Sequence, residues 1–65
     1  MKLIINGEEK QLSVQTLQDV VEHFGLQEGF VVTEVDGEII DRNNWNSKSL
    51  VEGMQIELVH FVGGG

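Results

Sequence analysis

Only one stretch of this chain repeats its apolar residues with the period of an α-helix, and that stretch is short. Its four apolar residues are spaced i, i+3, i+4 and i+7 and share one side of a helix: Leu17, Val20, Val21 and Phe24. Thr16 fits the N-cap position, and Asp19 three residues later suits a capping box. Gly25 fits a left-handed C-terminal cap, with Leu26 placed to pack back. A helix of about nine residues is marginal alone, so another element must cover its apolar side.

The segments around this helix have the pattern of β-strands joined by tight turns. Asn6-Gly7 and Asp36-Gly37 are pairs that favour the two-residue turns of β-hairpins, because both central residues need positive φ. Alternation and β-branched residues predict four strands beside these turns: residues 3–5, 10–14, 30–35 and 38–40. The sequence therefore predicts a hairpin on each side of the helix.

The remaining residues predict a loop and a last strand. Residues 41–49 are polar apart from Trp45, which we expect to lie at the edge of the core beneath a loop containing one helical turn. Glu52-Gly53 predicts another turn, and residues 55–62 alternate as a strand does. One side of this strand carries Ile56, Leu58, His60 and Val62, and the other carries Gln55, Glu57, Val59 and Phe61.

The order β-β-α-β-β-β predicts an α+β fold, with a mixed sheet of about five strands and one main helix packed on one face. Pairing the last strand beside the first would bury it in the middle of the sheet. That arrangement is the β-grasp, or ubiquitin-like, fold. We expect a domain over residues 1–62 and a flexible C-terminal glycine tail over residues 63–65.

The charge of the chain excludes one class of partner. Four basic residues stand against eleven acidic ones, for a formal net charge of −7. Nucleic acids require basic surfaces, so no nucleic-acid partner is expected. An acidic surface either steers the chain onto basic enzymes or keeps it soluble, and charge alone leaves both open. Without a signal-like or membrane-spanning segment, the sequence predicts a cytoplasmic protein and no membrane partner.

Catalytic and metal-binding patterns are missing from the sequence. The chain has no cysteine, which excludes a thiolate metal site and a cysteine nucleophile. His23 and His60 come from different elements and lack the spacing of a metal site. We expect His23 to be exposed at the end of the helix, and His60 either to position the tail or to be a partly exposed sheet residue. No catalytic residue and no metal ligand are predicted.

The informative feature is the ending, where Val62 is followed by Gly63, Gly64 and Gly65. Without side chains this tail can thread a narrow channel and reach roughly 10 Å beyond the sheet, which suits activation of its carboxylate inside another enzyme. The alternative is a frayed terminus or spacer.

The outer side of the last strand turns apolar as it nears the tail. We expect Val59 and Phe61 to contact a partner there. The alternative is that both side chains pack under a loop in the core.

Over its whole length the chain resembles the ThiS family of thiamine-biosynthesis sulfur carriers, which are ubiquitin-like proteins. Four stretches carry the resemblance: Asp36-Gly37-Glu38-Ile39-Ile40, the Trp45 region, Glu52-Gly53-Met54, and the ending Val59-His60-Phe61-Val62-Gly63-Gly64-Gly65. The closest related family, the small subunit of molybdopterin synthase, is usually longer.

The resemblance implies a chemical role for the tail. A ThiF-type enzyme would use Mg-ATP to adenylate the carboxylate of Gly65, the second glycine of a pair with Gly64, while Gly63 is an additional glycine. Sulfur from a cysteine desulfurase route would convert the adenylate to a thiocarboxylate. Thiazole synthase, ThiG, would then take the sulfur for the thiazole ring of thiamine. The chain itself would be a co-substrate without a cofactor of its own, since its partner binds the ATP and magnesium.

Two other functions stay open at this point. The chain could carry sulfur for another pathway, of the molybdopterin type or for a cysteine-type synthesis. It could also be a ubiquitin-like interaction module whose glycines are a spacer and are never activated.

Overall fold

A computed structural model describes residues 1–61 as a five-stranded sheet with one α-helix on one face. The strands and the helix are β1 (Lys2–Ile5), β2 (Glu8–Gln11), α1 (Leu17–His23), β3 (Val31–Val35), β4 (Glu38–Ile40) and β5 (Gln55–His60). Short 3-10 helices occupy Glu28–Phe30 and Arg42–Ser47. The strand order is β2-β1-β5-β3-β4; β1 and β5 run parallel, and the other neighbouring strands run antiparallel. The predicted element order and the central position of the last strand are confirmed.

Both predicted hairpin turns are present. Asn6 and Asp36 each have φ of 49°, and the glycines that follow them have φ of 83° and 89°. The predicted start of the second strand was wrong, because β2 begins at Glu8, directly after the turn. It ends at Gln11, opposite Lys2, and not at residue 14 as predicted, although Leu12 still exchanges backbone hydrogen bonds with Met1. Leu12 and Val14, which follow β2, are both buried.

The helix begins and ends where the sequence predicts caps. Thr16 Oγ1 accepts from the backbone N–H of Asp19, and the Asp19 carboxylate accepts from the N–H of Thr16. At the other end Gly25 has φ of 65° and donates to the carbonyl of Glu22, while Leu26 donates to that of Val21. These two bonds form a Schellman motif, which ends the helix.

One member of the predicted apolar stripe is not buried. Leu17, Val20 and Val21 are completely buried, whereas Phe24 is 37% exposed. Phe24 is the C-cap residue, one position beyond the last helical residue, and the chain turns away at Gly25. The prediction that Phe24 packs on the sheet with the other three is therefore wrong.

The core lies between α1 and the sheet, and its largest side chain is Trp45. Trp45 belongs to the 3-10 helix Arg42–Ser47, is 1% exposed, and donates from Nε1 to Thr33 Oγ1 at 2.8 Å. The prediction that Trp45 packs on the core from this segment is confirmed, but it lies within the core and not at its edge.

The last described strand is slightly shorter than predicted. β5 ends at His60, and Phe61 adds one backbone bond by donating to the carbonyl of Phe30 at 2.7 Å. Val62 lies outside the described residues, as does the tail. Among residues 1–61, no helix has the length and apolar character needed to cross a membrane.

Candidate functional site

The two faces of the sheet have different surroundings. Along β5, Ile56 is buried and Leu58 half-buried, while Gln55, Glu57 and Val59 on the alternate side are exposed. The buried side belongs to the core beneath α1 and the 3-10 helix Arg42–Ser47. We call the opposite side, whose side chains are exposed or half-buried, the open face.

An apolar surface lies on the open face where β5 approaches the tail. Val59 is 53% exposed and sits directly opposite the half-buried Val32, while Phe61 is 51% exposed and opposite Phe30. Ile39, on β4, is 68% exposed. These five residues form the open-face patch: Phe30, Val32, Ile39, Val59 and Phe61. The alternative that Val59 and Phe61 pack in the core is wrong.

His60 lies on the other side of the same strand. It pairs with Val31 and borders a groove together with Phe24, Leu26 and Leu58. Its side chain is exposed, which fits the expected sheet residue, and a role of His60 in positioning the tail stays a prediction. The structure therefore does not bring His60 together with Val59 and Phe61, although all three reach the end of β5. His23 is likewise exposed at the end of α1, as predicted.

The lowered pKa of Asp19 is explained by its place in the N-terminal cap of α1. Backbone N–H groups of Gln15 and Thr16 donate to the Asp19 carboxylate and hold its pKa below the usual range. Both bonds belong to the cap of α1, so the shift reflects helix formation. Within residues 1–61, no cluster of three potential ligands is placed to bind a metal.

Comparison with known proteins identifies the family. Residues 3–65 match the model of the ThiS family, so the match includes the tail as well as the sheet. The chain belongs to the ThiS family. The resemblance inferred from the sequence is thereby confirmed.

Two curated relatives of this ThiS-family chain are informative. The sulfur carrier protein ThiS of Bacillus subtilis is 38% identical over 50 residues, which cover 77% of this chain and 76% of that protein. The thiazole synthase of Paramagnetospirillum magneticum is 33% identical over 66 residues, which cover this whole chain. The chain spans only 20% of the length of that synthase.

Solved structures show the same fold. The crystal structure of a thiamine biosynthesis protein, ThiS, from Geobacter metallireducens has a TM-score of 0.83 and 23% identity, with both chains fully covered. An NMR structure of a thiamine biosynthesis protein from that organism gives the same TM-score and covers 88% of its chain. The predicted β-grasp fold is confirmed.

For this ThiS-family chain, sequence reasoning identified part of the site. Gly63, Gly64 and Gly65 lie outside the described residues, so the predicted boundary at residue 62 stays a prediction. Sequence analysis missed Phe30, Val32 and Ile39. Alternation assigns each to one side of its own strand, but only the pairing of β3 with β4 and β5 brings them beside Val59.

Proposed function

We propose that this ThiS-family chain carries sulfur for thiamine biosynthesis as a thiocarboxylate on its C-terminal glycine, Gly65. The observation that carries the proposal is the family match, which extends from the first strand to Gly65. The Bacillus subtilis relative, a sulfur carrier protein, supports the carrier role directly. In this role the chain is a co-substrate, and the catalytic groups belong to its partners.

The chemistry proceeds in two displacements at the tail. In the first, the Gly65 carboxylate attacks the α-phosphorus of ATP, forms an acyl-adenylate and displaces pyrophosphate. In the second, sulfur at the oxidation level of sulfide attacks the acyl carbon, and AMP leaves with the oxygen that attacked ATP. A carboxylate is a poor acceptor until AMP becomes its leaving group, which is why a ThiF-type enzyme and its Mg-ATP are needed. The sulfur comes from a cysteine desulfurase route as a persulfide, and a thiol reductant supplies the two electrons that release it as sulfide.

The described residues supply the docking surface for this reaction. The open-face patch borders the point where the chain continues into the tail, and an apolar surface of this kind is typical of a protein-binding site. Val59 and Phe61 contact the activating enzyme there, while Gly63 and Gly64 let the tail pass through a narrow channel to the ATP. His60 lies on the opposite side of β5, outside this docking surface, and helps to position the tail.

The likeness to thiazole synthase supports ThiG as the acceptor of the sulfur. In Paramagnetospirillum magneticum a segment similar to this whole chain occurs within a protein of that name. Joining a carrier-like segment to a synthase gives the two a high effective concentration, which is useful when one must deliver a group to the other. A cytoplasmic location, where ATP is available, stays a prediction.

An intact-mass assay tests the proposal. The chain would be incubated with Mg-ATP, a ThiF-type enzyme and a sulfide donor. We expect a mass gain equal to the replacement of one oxygen by sulfur, and no gain after deletion of Gly65. The variant Val51→Thr, which changes an exposed residue outside the patch, serves as the control and should be converted like the wild type.

An unchanged mass would contradict the proposal, provided that the same enzyme preparation converts its own carrier protein. An unmodified chain would then be explained as an interaction module with a glycine spacer. Conversion without transfer of sulfur to ThiG would instead favour a carrier of another pathway, such as that of molybdopterin.

A further inference from the structure

Two glutamates lie directly opposite each other in the middle of the open face. Glu34 of β3 pairs with Glu57 of β5 in the antiparallel register. The N–H of Asp36 donates to the carbonyl of Gln55 at 2.8 Å, and hydrogen-bonded pairs recur every second residue from that point. Glu34 and Glu57 therefore form a hydrogen-bonded pair, in which the Cα atoms lie about 5.5 Å apart and both side chains leave the same face.

None of the four basic residues within residues 1–61 forms an ion pair with Glu34 or Glu57. Three of them pair with other glutamates: Lys2 with Glu9, Lys10 with Glu8, and Arg42 with Glu28. The fourth, Lys48, lies beside the start of α1, where its carbonyl accepts from the N–H of Leu17 at 3.1 Å. Within residues 1–61, no basic group lies within 4.0 Å of either Glu34 or Glu57. Like charges directly opposite each other destabilise a sheet, so this pair opposes folding.

Apolar side chains border the glutamate pair on two sides. Val32 and Val59 form the next pair along the strands toward the tail, and Ile39 lies opposite Glu34 on β4. Ile39 is the most exposed large apolar side chain among residues 1–61. A partner that covers the open-face patch would also remove water from the two carboxylates. Desolvated carboxylates must be paired, so that partner has to supply a positive charge at this point.

We propose that the activating enzyme docks over the open-face patch with an arginine side chain that pairs with both Glu34 and Glu57. The planar guanidinium has donors on two edges and can bond two carboxylates at once, which a lysine ammonium does less well. Such a contact in the middle of an apolar surface fixes the rotation of the carrier on the enzyme and hence the direction of the tail. The inference rests on the proposed function for the identity of the partner.

The test compares two variants that lose the same amount of charge from opposite faces. Glu34→Gln with Glu57→Gln removes the pair and keeps the size of both side chains. The control, Glu8→Gln with Glu38→Gln, changes residues opposite Ile5 and Val35, whose side chains are buried on the covered face. We expect the Kd for a ThiF-type enzyme to rise about tenfold or more in E34Q/E57Q. In E8Q/E38Q, which makes the same change of overall charge and loses only the exposed Lys10–Glu8 ion pair, we expect a rise within about twofold.

Thermal unfolding separates docking from folding. Because the substitution removes a repulsion, E34Q/E57Q should melt at or above the temperature of the wild type while it binds more weakly. An equal loss of affinity in both double variants, or no loss in either, would overturn the inference. So would a wild-type chain that does not bind the enzyme.

The mass assay distinguishes this inference from the proposed function. If the wild type binds through the pair but gains no sulfur, the docking inference stands and the carrier function fails. If the wild type is converted and E34Q/E57Q binds equally well, the function stands and the role of the pair is wrong.

Discussion

At the scale of single residues, Trp45 attaches the polar segment after β4 to the sheet. Its indole Nε1 donates to Thr33 Oγ1 at 2.8 Å and lies 3.3 Å from the carbonyl of Ile40. Thr33 Oγ1 in turn donates to that carbonyl at 2.9 Å. Thr33 is the one polar residue among the buried side chains of residues 1–61, and this network satisfies its hydroxyl.

Replacing Trp45 with Phe should lower the free energy of unfolding by about 1–3 kcal/mol, because Thr33 loses its donor and the core loses volume. The variant T33V/W45F should cost less than the sum of the two single variants, since both partners of one hydrogen bond are then removed. Urea unfolding followed by far-UV circular dichroism measures this, because the chain has one tryptophan and W45F removes its fluorescence. Strict additivity would show that the hydrogen bond contributes little.

At the scale of the elements, local sequence patterns predicted the hairpin turns and the ends of the helix. The Asn6-Gly7 and Asp36-Gly37 turns and both caps of α1 depend on residues a few positions apart, so the sequence contains all that fixes them. The start of β2 and the exposure of Phe24 depend on where β1 and α1 end, which periodicity does not show.

The sequence alone could not predict which residues face each other across neighbouring strands. Glu34 and Glu57 are distant in the chain, and only the register of β3 on β5 makes them neighbours. The same holds for Val32 and Val59, which explains why sequence analysis found only Val59 and Phe61 of the open-face patch.

The cap of α1 should make stability depend on pH in acid. The pKa of Asp19 is lowered in the folded chain by the N–H groups of Gln15 and Thr16. The contribution of the Asp19 carboxylate to the free energy of unfolding is therefore complete above its ordinary pKa of 3.8. That contribution is lost as the pH falls through the lower pKa of the folded chain. Asp19→Asn should remove this pH-dependent part of the stability.

Urea unfolding at a series of pH values between neutral and strongly acidic conditions would measure the effect. The stability of D19N should fall less steeply than that of the wild type below the ordinary pKa of aspartate. Asp41→Asn is a fair comparison, because Asp41 caps the 3-10 helix Arg42–Ser47 through one backbone N–H, that of Asn43. Parallel curves for the wild type and D19N would contradict the assignment.

At the scale of the whole molecule, folding and docking use opposite faces of one sheet. The side chains that are completely buried lie between the sheet and the two elements that cover it, α1 and the 3-10 helix Arg42–Ser47, whereas the open-face patch contributes little to the core. Substitutions on the two faces should therefore affect different measurements.

Val59→Thr tests this separation, because it keeps the shape of the side chain and adds a hydroxyl to the patch. We expect the free energy of unfolding to change by less than about 0.5 kcal/mol, while affinity for the activating enzyme falls several-fold. Val51→Thr is the matched control, since Val51 is 58% exposed and Val59 53%, and Val51 lies in the turn region before β5. Calorimetric titration gives the affinities, and equal effects of the two substitutions would argue against docking at Val59.

The central place of β5 also has a consequence for synthesis on the ribosome. Without Gln55–His60 the sheet separates into two hairpins, β1–β2 and β3–β4, that share no strand pairing. Isolated two-stranded hairpins are at best marginally stable in water. The nascent chain should therefore stay unfolded until residues 55–60 have left the exit tunnel. A product of interrupted translation that lacks this strand would be degraded by proteases before it could compete for the activating enzyme.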